Sequence, residues 1–144
     1  MNKLTILIVC LFGTLSYAQN WQSNFESAKT QAIKENKNIL LVFSGSDWCA
    51  PCMKLDKVVW KSSEFQEESE KSWIIYKADF PKKKANQLPI ELAAENKKIA
   101  DKYNKDGSFP LVVLLDKNAK VIGITGFKNV SASDYIKTIH SLEK

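Results

Sequence analysis

Cysteine and histidine are scarce in this chain. Its 144 residues include three cysteines (Cys10, Cys49 and Cys52) and a single histidine, His140. A structural zinc site needs four ligands, so zinc fits poorly. A stapled disulfide framework needs several pairs and fits no better. A c-type haem attachment requires histidine directly after the second cysteine of a pair, and Met53 stands there. Glycine and proline are also few, at five and four. They form no linker, and no internal repeat interrupts the chain, which points to one domain. No apolar run reaches the roughly 20 residues of a typical membrane span. Basic residues are not interleaved with aromatics, which argues against a nucleic-acid surface.

What is present is an ordinary globular composition, 44% hydrophobic and 26% charged with a net charge of +5. That suffices for a buried core and a solvated surface. The first residues differ. Lys3 precedes the apolar stretch Leu4-Thr5-Ile6-Leu7-Ile8-Val9-Cys10-Leu11-Phe12, followed by Gly13 and Ser16-Tyr17-Ala18. This is the layout of a secretory signal peptide with cleavage after Ala18. Residues 1–18 are therefore read as a leader and 19–144 as the mature domain, exported to the periplasm or secreted. The rival reading is an uncleaved anchor. Bulky Val9 before Cys10 argues against a lipoprotein, and cleavage would leave Cys49 and Cys52 as the remaining cysteines.

Those two lie in Trp48-Cys49-Ala50-Pro51-Cys52, directly after the apolar run Ile39-Leu40-Leu41-Val42-Phe43. A ring this small constrains little of the unfolded chain, so catalysis suits the spacing better than stapling. The nucleophile of disulfide exchange is a thiolate. Cys49 precedes a helical pattern, where unpaired N–H groups and the helix dipole favour negative charge and a lowered thiol pKa. Cys52, one turn on, is placed to resolve a mixed disulfide. Pro51 suits a first helical turn, which needs no N–H there, and Trp48 shields one side. His140 reads as a surface or core-edge residue without a catalytic role.

Periodicity predicts a helix from Trp21 to about Asn36 using Phe25, Ala28, Ala32 and Ile33. Ile39–Phe43 reads as a strand buried on both faces. A helix over Cys52–Trp60 and a short helix opened by a capping box at Ser63-Glu64-Phe65-Gln66 follow. Next come a second central strand over Trp73–Asp79, a polar loop from Pro81 to Pro89 and a helix to Tyr103. Leu111–Leu115 and Val121–Ile124 read as a hairpin, and Ser131 starts a last helix ending near Leu142. Early strands separated by helices need parallel crossovers, and the late hairpin needs an antiparallel pair. The expectation is an α/β fold with a mixed sheet and helices on both faces.

The motif after a buried strand, its approach Ser44-Gly45-Ser46-Asp47, and Pro110 ahead of the third strand together resemble the thioredoxin superfamily. The chain is similar to exported bacterial thioredoxin-like proteins, and to the soluble domain that ends bacterial transmembrane electron-transfer disulfide reductases. The likeness runs from Trp21 to Leu142. It implies a thioredoxin fold and thiol:disulfide oxidoreductase activity through a redox-active Cys49–Cys52 disulfide, with no cofactor and no metal. It also implies a cis Phe109–Pro110 bond facing the cysteines. The substrate-facing set is then Trp48, Ala50, Pro51, Phe109 and Pro110, with the Phe109 backbone free to pair with an extended client strand.

Implied partners are disulfide-containing protein clients and a membrane thiol-reductant donor, met by a monomer. Ala50-Pro51 is closer to the reducing Gly-Pro of the family than to the oxidising Pro-His. An oxidase or isomerase, and a partner-binding module without turnover, remain the alternatives. The chain departs from the family at Phe43, where thioredoxins carry a buried aspartate. Lys77 matches the lysine that accompanies that aspartate, or is simply a strand-end lysine. Asp47 reads as an exposed loop acid or a stand-in. Pro81-Lys82-Lys83-Lys84 resembles an insertion, read as a solvated loop with partner docking as the other reading.

Overall fold

The computed structural model describes residues 19–144; the leader expected over 1–18 lies outside the described residues. The first helix, α1, runs Phe25–Glu35 and begins later than the periodicity suggests. Asn24 caps it by accepting the Ser27 N–H at 2.8 Å, and Asn36 ends it in the left-handed region at φ 53°. Trp21 lies outside the helix and bridges to Ile75. Helix α1 buries Phe25, Ala28 and Ala32. Ile33 is 61% exposed, because one residue past Ala32 is about 100° round the helix.

Strand β1 (Asn38–Ser44) is the buried run expected, and β2 (Trp73–Asp79) pairs with it in parallel. Strand β3 (Leu111–Leu115) lies antiparallel on the other side of β1, and β4 (Val121–Gly126) antiparallel to β3. The sheet order is β2-β1-β3-β4, which puts β2 at an edge and not at the centre as its apolar run suggests; its side chains are buried by the layers on its two faces. Between the strands come α2 (Ala50–Leu55), α3 (Ser63–Ser72) and α4 (Ile90–Tyr103), with α5 (Ala132–Ser141) at the end.

Alternation along the central strands divides the core in two. Ile39, Leu41 and Phe43 of β1 face one way, with Phe25, Ala28 and Ala32 of α1 and Ile99 of α4. Leu40 and Val42 face the other way, with Leu55, Trp60, Phe65, Tyr135 and Ile139 from the helical segments there. Helices therefore cover both faces, the mixed-sheet architecture expected from the sequence.

Two local features differ from expectation. The cap of α3 is Ser62, whose hydroxyl accepts the Phe65 N–H at 3.1 Å, one residue before the predicted box. Gln66 instead reaches back to the Lys61 carbonyl at 3.2 Å. The helix entered at Ala50 also does not stay α-helical to Trp60. Asp56–Trp60 widens into a π-helical stretch, closed by the Lys61 N–H to the Asp56 carbonyl at 3.0 Å. Among the described residues no helix is long and apolar enough to cross a membrane.

Candidate active site

The polypeptide leaves β1 at Ser44 and turns through Gly45-Ser46-Asp47-Trp48 into α2. Gly45 carries the turn, its carbonyl accepting the N–H groups of Trp48 at 3.3 Å and Cys49 at 2.9 Å. A Cβ on Gly45 would meet the Trp48 indole at 2.3 Å, so the ring can lie against the turn only because this residue is glycine. Cys49 is the N-cap of α2 and is disulfide-bonded to Cys52, with Cα atoms 5.2 Å apart. Its sulfur accepts the Cys52 N–H at 3.3 Å, so a backbone donor already points at the atom that would carry thiolate charge. Pro51 sits in the first helical turn, where its missing N–H leaves no bond unmade. Both cysteines are buried, whereas Ala50 and the Trp48 edge are exposed.

A shelf of aromatic rings adjoins the disulfide. Trp48 packs edge-on against Phe109 with centroids 5.3 Å apart, and Phe109 against Phe80 at 5.5 Å. The Trp48 indole N–H donates to the Phe80 carbonyl at 2.7 Å. The Phe109–Pro110 bond is cis, as the resemblance implies, and Pro110 is buried. Asn104 fixes the preceding loop by donating to the Ser108 carbonyl and accepting the Ser108 N–H, both at 2.9 Å. The strand end that carries Phe109 is thus held against the motif through Trp48. Asp79 at the end of β2 secures the approach turn, accepting the Ser46 N–H at 2.9 Å and its hydroxyl at 2.5 Å.

Phe43 fills the position of the missing acid and is fully buried in the core beside α1 and α4, so no carboxylate substitutes there. The acid that accompanies Cys52 is Asp56, one helical turn on. Cys52, Asp56, Ser44, Ser46 and Lys77 line a cavity of about 390 Å³. The Asp56 carboxylate accepts from Lys61 at 2.7 Å and Lys77 at 2.9 Å. Burial acts to raise the Asp56 pKa, but the two ammonium partners outweigh it, and the net displacement is downward. Lys77 also lies 4.7 Å from the Trp21 ring, so it is a paired residue rather than a free strand end.

A family model described as thioredoxin-like matches residues 20–117. The chain belongs to the thioredoxin-like family. Its relatives include the disulfide bond reductase DsbH of Chlamydia pneumoniae, 31% identical over 124 residues, which cover 86% of this chain and 72% of that one. The thioredoxin-related protein DsbJ of the same organism is 26% identical over 138 residues, 90% of this chain but 39% of DsbJ. The chain thus spans well under half of DsbJ. Among solved structures, a DsbH oxidoreductase superposes with a TM-score of 0.79 at 30% identity, covering 88% of this chain and 86% of that one. A thioredoxin from Thermus thermophilus superposes with a TM-score of 0.64 at 13% identity, over 87% and 88% of the two chains, a likeness of fold. With its Cys-x-x-Cys pair, this thioredoxin-like protein is a thiol:disulfide oxidoreductase.

In this thioredoxin-like chain the structure gathers Trp48, Ala50, Pro51 and both cysteines at the head of α2, and Phe109 against Trp48. His140 is elsewhere, on α5, bonded to Glu143 at 2.9 Å and Glu68 at 3.0 Å. Among the described residues no group of three or more His, Cys, Asp or Glu is placed to hold a metal ion. Sequence reasoning missed Asp56 and Phe80. Asp56 was legible in principle, since four residues past Cys52 is the same helix face. Phe80 carried no such signal, because its place depends on the chain leaving β2 toward Trp48.

Proposed function

We propose that this oxidoreductase acts as an exported, periplasmic reductant of protein disulfides, monomeric and cycling between the Cys49–Cys52 disulfide and the dithiol. The observation that carries the reading is a Cys-x-x-Cys disulfide at a helix start, beside an aromatic shelf and a cis-proline strand end. In the forward step the Cys49 thiolate attacks one sulfur of a client disulfide, forming a mixed disulfide and releasing the first client thiolate. The Cys52 thiolate then attacks the Cys49 sulfur, closing the enzyme disulfide and releasing the second. Two electrons pass to the client, so a dithiol donor must restore the reduced pair, and a membrane thiol-reductant donor fits an exported enzyme. Trp48, Ala50, Pro51 and Phe109 form the surface a client strand meets, with the buried cis Pro110 setting the direction of the Phe109 backbone. The reducing direction is supported by the name of DsbH, a disulfide bond reductase, and by Ala50-Pro51 between the cysteines.

Turnover of an insulin-type disulfide with dithiothreitol as donor tests the reading. Cys49→Ser is expected to abolish it, and Cys52→Ser to accumulate client mixed disulfides at Cys49. Unchanged turnover in Cys49→Ser removes Cys49 as nucleophile. A reduction potential close to the strong oxidants of this fold, about −120 mV, would reverse the direction and leave the exchange chemistry in place.

A further inference from the structure

The surface beside the disulfide carries a construction that exchange chemistry alone does not require. The segment Lys82–Gln87 is exposed throughout and bears Lys82-Lys83-Lys84, yet it is tied to the motif. Asp47, two residues before Cys49, accepts the N–H groups of Lys82 and Lys83 at 2.9 Å each, and the Asn86 side-chain amide at 3.0 Å. The Lys82 backbone bond is the leading cause of a carboxyl pKa below the usual aspartate range, so Asp47 stays ionised and the tether persists at neutral pH. The Lys82 ammonium lies 4.0 Å from the centroid of the Trp48 ring.

We propose that this tethered loop is a docking surface for an acidic segment of the client polypeptide, close in sequence to the client's disulfide. The proposal rests on the exchange reading and names the chemistry of the client it selects. Asp47 spends its oxygens on N–H groups of the loop, so it fixes the lysines without pairing with their ammonium groups. Among the described residues, Lys82, Lys83 and Lys84 form no salt bridge. The remaining acids at the site are also committed, Asp79 to Ser46 and Asp56 to Lys61 and Lys77. A client strand crossing Trp48 and Phe109 to reach Cys49 therefore passes three lysine charges carried on a tethered backbone and offset by the single carboxylate of Asp47. The chain has no arginine, so its fixed cations are lysines. Flexible point charges of this kind suit an irregular run of carboxylates better than a bidentate fork would.

The test uses two disulfide-bearing peptides that differ only in flanking residues, glutamate in one and glutamine in the other. With the dithiol form of the whole mature protein, the glutamate peptide is expected to be reduced about tenfold faster, an advantage that shrinks as salt is added. Replacing the three lysines together (K82Q/K83Q/K84Q) is expected to bring the ratio of the two rates close to one; a ratio that persists overturns the proposal. Asp47→Ala keeps all three lysines and makes the protein more positive, yet freeing the loop is expected to lower the ratio. A ratio that holds or rises there assigns the effect to diffuse charge and also overturns it. Fluorescence anisotropy of cysteine-free versions of the peptides on the oxidised protein separates docking from chemistry. Absence of exchange with both peptides would remove the exchange reading while anisotropy still reports the surface. Equal affinities, or tighter binding to vesicles with anionic headgroups or to single-stranded DNA, would overturn the acidic-client assignment.

Discussion

At the residue scale, the acid beside Cys52 comes from the helical segment and not from β1. Phe43 is sealed into the core facing α1 and α4, while Asp56 reaches the cavity beside Cys52 from the helix. Asp56 is held ionised by Lys61 and Lys77, so it is a fixed negative charge facing the pair rather than a store for a proton. A carboxylate there opposes the thiolate of the dithiol form, and the two lysines offset it. Asp56→Asn leaves both ammonium groups uncompensated, stabilises the reduced pair and raises the reduction potential. The expected shift is about 30 mV, equivalent to about 1.4 kcal/mol for a two-electron couple. Equilibration with glutathione buffers measures it; an unchanged or lowered potential would show that Asp56 does not act on the cysteines. The charge was visible in the sequence, but its role was not. Its partner Lys77 is 21 residues away in sequence, and only the fold that sets the start of the Asp56–Trp60 stretch beside β2 brings the two together.

At the scale of elements, what was legible was what local pattern dictates. Strands β1 and β2 announced themselves as apolar runs because the side chains of both are largely buried, although β2 is an edge strand, and α5 carried its capping serine, Ser131. The misses were of register and partner: Ser62 rather than Ser63 as cap, the widened turn at Asp56, and the loop that Asp47 holds from 35 residues away. Helix α5 shows the same limit. His140 on α5 joins Glu68 on α3, and Glu143 just beyond α5 also accepts the Trp73 indole N–H at 2.8 Å.

Burial works to lower the His140 pKa, but hydrogen bonds with Glu143 and Glu68 raise it above 6.5. The Ser72 hydroxyl and His140 hold Glu68 below 4.5, and Glu143 lies below 4.5 because hydrogen bonds led by His140 outweigh its burial. A raised histidine contributes fully below its ordinary pKa and loses that contribution as pH rises through the folded value. The depressed glutamates contribute above their ordinary pKa and lose it as pH falls through theirs. The clasp is therefore strongest between the ordinary values, pH 4.5 to 6.5. His140→Gln is expected to cost about 0.5–1 kcal/mol in that window, after solvent screening of these part-exposed groups, and less on either side. Urea unfolding across pH measures it, and a pH-independent difference would mean the clasp acts only through the packing of the imidazole on the Trp73 ring, 4.7 Å away between centroids.

For the whole molecule, the direction of electron flow and the stability of the fold are two views of one cycle. The folded pair is more reducing than the same pair in the unfolded chain only if the disulfide stabilises the fold, and more oxidising only if the dithiol does. Chain entropy alone assigns a ring closed across the three-residue separation of Cys49 and Cys52 about 2 kcal/mol in favour of the oxidised form. Against it stand the donors at the head of α2, which favour thiolate in the reduced form, and the strong oxidants of this fold owe their potential to that stabilisation. Here the Cys52 N–H supplies one such donor at 3.3 Å, and Asp56 offsets one of the two lysine charges paired with it across the cavity. No histidine lies between the cysteines to add a further charge. The balance leaves the oxidised protein the more stable, by about 1–2 kcal/mol, or several degrees in Tm for a domain of this size. Parallel thermal unfolding with and without dithiothreitol reads the sign directly. A reduced form that melts higher than the oxidised form would make the protein a disulfide donor to its clients, with the same cysteines running the exchange in reverse.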